Sequence, residues 1–163
     1  MSLPSFRAAT IPKVRGTYNL HLALPCLDFF VILSSIVGAA GNVGQANYAA
    51  GGSFQDALAR HRSALGLPCV SIDLGAVKSM GYLADESSKH LAERFTRLGF
   101  EMLDESTVLR VVEAAIMKPR RGTEECCVIV GAPVGWGMQK DEGAWSQRFE
   151  VERVGASGCC ECR

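Results

Sequence analysis

The chain has no charge of one sign to spare: seventeen basic and seventeen acidic residues cancel. That balance leaves no electrostatic footprint for nucleic acid or for an anionic membrane surface. Long apolar runs are missing too. The longest, Phe29 to Leu33, is bounded by Asp28 and by Ser34-Ser35, far short of the roughly 20 residues of a membrane helix. The opening MSLPSFRAATIPK lacks the apolar stretch of a secretion signal, so an intracellular, cytoplasmic protein is expected. Histidine is scarce, and His21, His61 and His90 are far apart in sequence, which gives no basis for a histidine metal site. Cysteine is plentiful, but seven is an odd number, and reduced thiols are the expectation where no secretion signal precedes them. Cys159-Cys160-Glu161-Cys162 has no second, separated pair, so no metal is expected there. No P-loop, G-x-S-x-G or H-E-x-x-H occurs, nor any internal repeat.

What remains is ordinary soluble composition, 48% hydrophobic and 21% charged over 163 residues, enough for one domain with a real core. Leu3 to Ala23 has a helical pattern, with Phe6, Ala9, Val14, Tyr18 and Leu22 near one face and Pro12 expected to bend or restart it. Leu27 to Ser34 is continuously apolar, which predicts a strand buried on both sides. Gly38, Gly41 and Gly44 suggest a tight loop. A helix is predicted over Gln45 to Leu65, with Ala46, Ala50, Phe54, Ala57, Leu58 and Leu65 as its apolar stripe and Gly66 at its end. Pro68 to Leu74 is a second strand. A short helix near Leu91, Phe95 and Leu98 follows, then a helix capped by Asp104, and a third strand at Cys126 to Val130. Strand, helix, strand predicts an α/β unit with three parallel strands and flanking helices. Residues 1–131 make this unit, and 132–163, without sustained periodicity, a tail or linker.

Ser35 closes the apolar run Phe29 to Ser34, and Tyr48, thirteen residues on, opens a small-residue stretch of the helix predicted over Gln45 to Leu65. A hydroxyl and a phenol are thus expected side by side at the end of a buried strand. The segment LDFFVILSSIVGAAGNVGQANYAAGGSFQDALARHRSALGLPCVSIDLGAV, with Pro12-Lys13-Val14-Arg15-Gly16-Thr17-Tyr18-Asn19-Leu20-His21 ahead of it, closely resembles the ketoreductase domain of polyketide synthases. The likeness is greatest to the fungal highly reducing synthases, within the short-chain dehydrogenase/reductase superfamily. It runs from about Phe6 to Gly131 and matches the C-terminal half of that domain, which implies a partial Rossmann-like fold.

Ketone reduction needs a hydride at the carbonyl carbon and a proton at its oxygen, and a tyrosine gives up that proton at neutral pH when a nearby cation favours phenolate. The resemblance implies that Tyr48 is the proton donor, Lys13 that cation, and Ser35 the hydroxyl that orients the carbonyl. It implies NADPH as reductant, with Ser34 and the turn Gly75-Ala76-Val77 at the nicotinamide, and the substrate near Met80 and Tyr82 under a Lys78 to Gly99 lid. Two departures stand out. The family asparagine four residues after the tyrosine is here Gly52. No G-x-G-x-x-G turn precedes Lys13, and Gly38, Gly41 and Gly44 have the wrong spacing for one.

The expectation is therefore a ketoreductase-derived fragment with no independent activity. It is catalytic only with a first-half ketoreductase fragment from another chain, acting on β-ketoacyl groups held by an acyl carrier protein. The alternative is a non-catalytic remnant or interaction module that associates with another polyketide synthase chain.

Overall fold

Ser2 opens the first helix, accepting a hydrogen bond from the backbone N–H of Ser5 at 3.3 Å, and α1 runs over Leu3–Ile11. The computed structural model describes residues 1–78, 93, 96–117 and 126–133. At Pro12, expected to bend or restart the helix, the regular α-helical turns stop. Its ring nitrogen has no proton to donate, and the chain widens into a π-helical turn, Pro12–Gly16, before α2 at Thr17–Ala23. Such wide turns place a side chain off the regular helical spacing and recur at functional sites. Lys13 lies within this turn.

The sheet has strands β1 (Val31–Ser35), β2 (Val70–Leu74) and β3 (Cys127–Val130), all parallel, in the order β1-β2-β3. Val31 pairs with Val70 and Ser34 with Asp73, while Asp73 in turn pairs with Ile129. Between β1 and β2 lie a short helix, α3 (Ile36–Ala40), and the long α4 (Ala46–Ala64). The expected tight loop is thus partly helical: Gly38 lies inside α3, and the positive φ angles fall at Gly41 and Gly44. Gly66, at φ +72°, ends α4 as its position predicted. Helix α5 (Glu105–Met117) follows Asp104, whose carboxylate accepts the Thr107 backbone N–H at 2.7 Å. The segment around Leu91 and Phe95, and all residues beyond 133, lie outside the described residues.

Each face of the sheet has its own core. Val70, Ile72, Val128 and Val130 pack with Val111 and Ala115 of α5 and with Leu103. On the other face Ile32, Cys69 and Cys126 pack with Ala59 of α4. Two sequence expectations are corrected here. The first strand is Val31–Ser35 rather than Leu27 to Ser34 and is not buried on both sides: Leu33 is 52% exposed, and among the described residues β1 has β2 on one side only. The inward face of α4 is not the apolar stripe either. It consists of Gly51, Gly52, Gln55, Asp56, Leu58, Ala59 and Arg62, whereas Ala46, Ala50, Ala57 and Leu65 face out. Ser71 of β2 donates to Asp56 of α4 and Lys13 to Gln55, so polar residues occupy the inward face, where Leu58 alone of the expected stripe is buried. Among the described residues, no helix is long and apolar enough to cross a membrane.

Candidate active site

In open parallel α/β sheets, ligands bind outside the carboxyl ends of the strands. Ser35 ends β1 at that edge, and Gly75 and Gly131 follow β2 and β3 there. Gly75 donates its N–H to Val130 O at 2.8 Å, and a Cβ at Gly75 would lie 2.9 Å from that same oxygen. Only glycine lets the two chains meet so closely. Ala76 O accepts from Leu103 N–H and Leu103 O accepts from Lys78 N–H, both at 2.7 Å, so the Gly75-Ala76-Val77 turn is pinned to the segment ahead of α5.

Lys13 and Tyr48 come together. The Lys13 Nζ sits 4.7 Å from the centre of the Tyr48 ring and donates to Gln55 Oε1 at 3.0 Å. Gln55 Nε2 donates onward to Thr17 Oγ1 at 3.2 Å, tying the π turn to α4. The lysine can lie this close because Gly51 has no side chain: a Cβ there would stand 2.8 Å from Lys13 Cδ. Tyr48 remains 37% exposed. Burial lowers the Lys13 pKa, while the charges of Asp73 and then Asp56 raise it.

Ser35 has a different partner. Its Oγ caps α3, accepting the Val37 N–H at 3.3 Å, and among the described residues no hydrogen bond joins it to Lys13 or Tyr48. Ser34 points to the α4 side, buried, its Oγ without a hydrogen-bond partner among the described residues. Gly52 is packed against α3, where a Cβ would meet Gly38 Cα at 3.0 Å and Ser34 Oγ at 3.4 Å. Met80 and Tyr82 lie outside the described residues.

Asp56 and Asp73 read in the sequence as acids without an acidic partner, being seventeen positions apart with no acidic neighbour in the chain, but the fold brings them together. Asp73 on β2 is fully buried and neither carboxyl oxygen has a hydrogen-bond partner. Burial, with Asp56 close by, pushes its pKa up to about 7. Burial likewise raises that of Asp56, although the Ser71 hydroxyl donates to its carboxylate at 2.7 Å. The signal available in the sequence was alternation: Ser71 and Asp73 occupy inward positions of a strand otherwise apolar. Among the described residues, no three His, Cys, Asp or Glu side chains converge to hold a metal.

Comparison with known proteins bears on this arrangement directly. The KR domain family model matches residues 1–79. Highly reducing polyketide synthase poxF of Penicillium oxalicum is 49% identical over 154 residues, which is 93% of this chain and 6% of that protein. Compactin diketide synthase mlcB of Penicillium citrinum is 47% identical over 153 residues, 91% of this chain and 6% of the synthase. The chain thus spans a small part of the curated relatives it matches. Among solved structures, the ketoreductase from the first module of phoslactomycin biosynthesis in Streptomyces sp. HK803 superposes with a TM-score of 0.65 at 37% identity, covering 74% of this chain and 27% of that one. The first ketoreductase of the tylosin PKS gives 0.65 at 32% identity, covering 84% and 29%. Kinship of this strength, carried on the same parallel-strand frame, places the chain in the ketoreductase domains of polyketide synthases, of the fungal highly reducing kind, within the short-chain dehydrogenase/reductase superfamily.

Proposed function

We propose that this chain supplies the proton-donating part of a reductase of β-ketoacyl groups presented by an acyl carrier protein. The observation that carries this reading is the Lys13 ammonium laid over the ring of Tyr48, at the carboxyl-end rim of a parallel sheet. Tyr48 delivers its hydroxyl proton to the substrate oxygen as that oxygen gains negative charge. Lys13 favours the phenolate left behind. Ser35 uses a lone pair to accept the Val37 N–H, so its hydroxyl proton stays available to the same carbonyl oxygen.

NADPH, the reductant of such enzymes, supplies the hydride when bound. Ser34 and the Gly75-Ala76-Val77 turn are proposed at its nicotinamide end. The described residues do not fit its pyrophosphate. Gly38 is the first glycine after β1, and its bare side is filled by the Gly52 backbone at 3.0 Å, leaving no cradle for a phosphate there. The pyrophosphate end of the cofactor is therefore assigned to a first-half ketoreductase segment.

The exposed β1 edge, with Phe29 and Leu33 beside it, offers unpaired backbone groups and apolar surface to a first-half ketoreductase segment or another synthase chain. The same edge, together with the closed Gly38–Gly52 contact, also favours the second reading, an interaction module without chemistry. Mixing the chain with a nucleotide-binding first-half segment, NADPH and a β-ketoacyl thioester separates them. The expected outcome is ketone reduction that Tyr48→Phe lowers by about 10²–10⁴-fold. Equal turnover by Tyr48→Phe would remove Tyr48 from the reaction, and complex formation without turnover would favour the interaction module.

A further inference from the structure

We propose that Gln55 is a positioning residue for the Lys13–Tyr48 pair: its amide, held in orientation by Thr17, keeps the Lys13 ammonium over the tyrosine ring without neutralising its charge. The inference rests on the proton-donor reading above and adds to it the residue that places the cation.

Tyr48, Gly51 and Gln55 stand three and four positions apart on α4, a spacing that lines them up on one face of a helix. The row has an aromatic ring at one end, an amide at the other and bare backbone between. Lys13 lies along it. A Cβ on Gly51 would stand 2.8 Å from the lysine Cδ, Nζ lies 4.7 Å from the ring centre, and the same nitrogen donates to Gln55 Oε1 at 3.0 Å. A lysine stem is flexible and costs conformational entropy to order, so contact with the ring alone leaves the ammonium free to swing into water. The directed bond to Gln55 fixes it.

The amide is itself fixed. An ammonium only donates, so the amide oxygen must face it. The amide nitrogen donates to Thr17 Oγ1 at 3.2 Å, and the Thr17 hydroxyl proton goes to the backbone carbonyl of Lys13 itself. The circuit closes on the residue where it began, and a flipped amide would point its N–H donors at the ammonium. Gln55 and Thr17 are both buried, so a bond lost from this circuit is poorly replaced by water.

The acceptor is also neutral. Among the described residues Lys13 makes no ion pair, whereas a carboxylate in the place of the Gln55 amide would offset much of the field that the ammonium exerts on the phenol. Gln55 holds the charge and leaves it in force.

The test reads the position of the ammonium before it reads turnover. In the 163-residue chain with labelled lysine side chains, NMR follows the Lys13 methylene shifts, which the Tyr48 ring displaces, without substrate or cofactor. Gln55→Met, similar in length but without the acceptor, is expected to move these shifts most of the way to their values in Tyr48→Leu, where the ring is absent. Thr17→Val, which leaves the amide nitrogen unpartnered, is expected to move them in the same direction, and Thr17→Ser, which keeps the hydroxyl, to restore them. The threonine pair decides the matter if Gln55→Met does not fold. Unchanged shifts in folded Gln55→Met, or Thr17→Ser no nearer the parent than Thr17→Val, would overturn the proposal. Gln55→Glu tests neutrality: it is expected to keep the Lys13 shifts yet lower reduction about tenfold in the mixture with a first-half segment, NADPH and a β-ketoacyl thioester, and undiminished reduction would overturn the role of the neutral amide. Tyr48→Phe is run beside it. Equal turnover there removes the proton-donor reading, while the Lys13 shifts still decide whether Gln55 places the cation.

Discussion

Gly51 holds the candidate site open at the cost of helix stability. Glycine inside a helix is less favourable than alanine by about 0.8–1.0 kcal/mol, yet a methyl here would stand 2.8 Å from Lys13 Cδ. Gly51→Ala is therefore expected to raise the chain's unfolding free energy by up to about 1 kcal/mol while moving the ammonium off the Tyr48 ring. Urea unfolding reads the first effect. The Lys13 side-chain shifts, which sense the aromatic ring, read the second. A variant that gains stability and keeps those shifts would mean that the lysine has room to spare. Gly52 is a different case, since a Cβ there meets the backbone of Gly38, and backbone yields less readily than the middle of a lysine chain. An asparagine at this position requires α3 to move.

Among the elements, α4 does most of the joining. Arg62, fully buried, donates from Nε to Pro68 O at 3.3 Å, contacts His21 Nδ1 through Nη1 at 2.8 Å, and stacks its guanidinium 4.7 Å from the Phe30 ring centre. One side chain thus ties α2, α4 and the approaches to β1 and β2. Helix α5 depends instead on its cap. Hydrogen bonds from Thr107 and then Ser106 hold the Asp104 pKa down to about 2. A depressed acid stabilises above its unfolded value near 3.9, and that contribution is lost as the pH falls through about 2. Asp104→Ala is expected to speed amide hydrogen exchange at Thr107 and through the first turn of α5 at neutral pH, and Asp104→Ser to restore most of the protection. Equal protection in the alanine variant would show that α5 is held by its packed face alone.

At the scale of the whole molecule, buried acids set the pH response and the bare edge sets the need for a partner. Asp73 has a folded pKa of about 7 against about 3.9 when unfolded, so between those values the folded chain binds the extra proton. Stability from this group is complete below about pH 4 and falls as the pH rises through 7, with a slope of at most about 1.4 kcal/mol per pH unit. Burial shifts Asp56 in the same direction. Urea midpoints at pH 4.5 and 7.5 should differ less in Asp73→Asn than in the parent chain, and an undiminished difference would mean that Asp73 is not the group responsible. The edge follows from topology: β1 has a neighbour on one side, leaving Leu33 half in water. Exposed apolar side chains on α1 and α2, among them Phe6, Tyr18 and Leu22, add to that uncovered surface.

The sequence by itself determined the order of the elements and the cap residues, because these depend on contacts within a few positions: the carboxylate of Asp104 reaches Thr107, and Gly66 takes the positive φ that ends α4. It also carried the motif from which Lys13, Ser35 and Tyr48 are proposed as site residues, since residue type and spacing survive in one dimension. Burial was legible only in part. Continuous apolar character in Phe29 to Leu33 cannot say whether a second strand lies beyond it, and the apolar stripe of α4 turned outward because polar side chains on its other face had partners on β2 and the π turn. Tertiary structure alone decided that Lys13 lies over Tyr48 and that Asp56 and Asp73 meet beneath it. Those contacts join residues 17 to 60 positions apart, and no local preference of the chain encodes which distant charges a fold will press together.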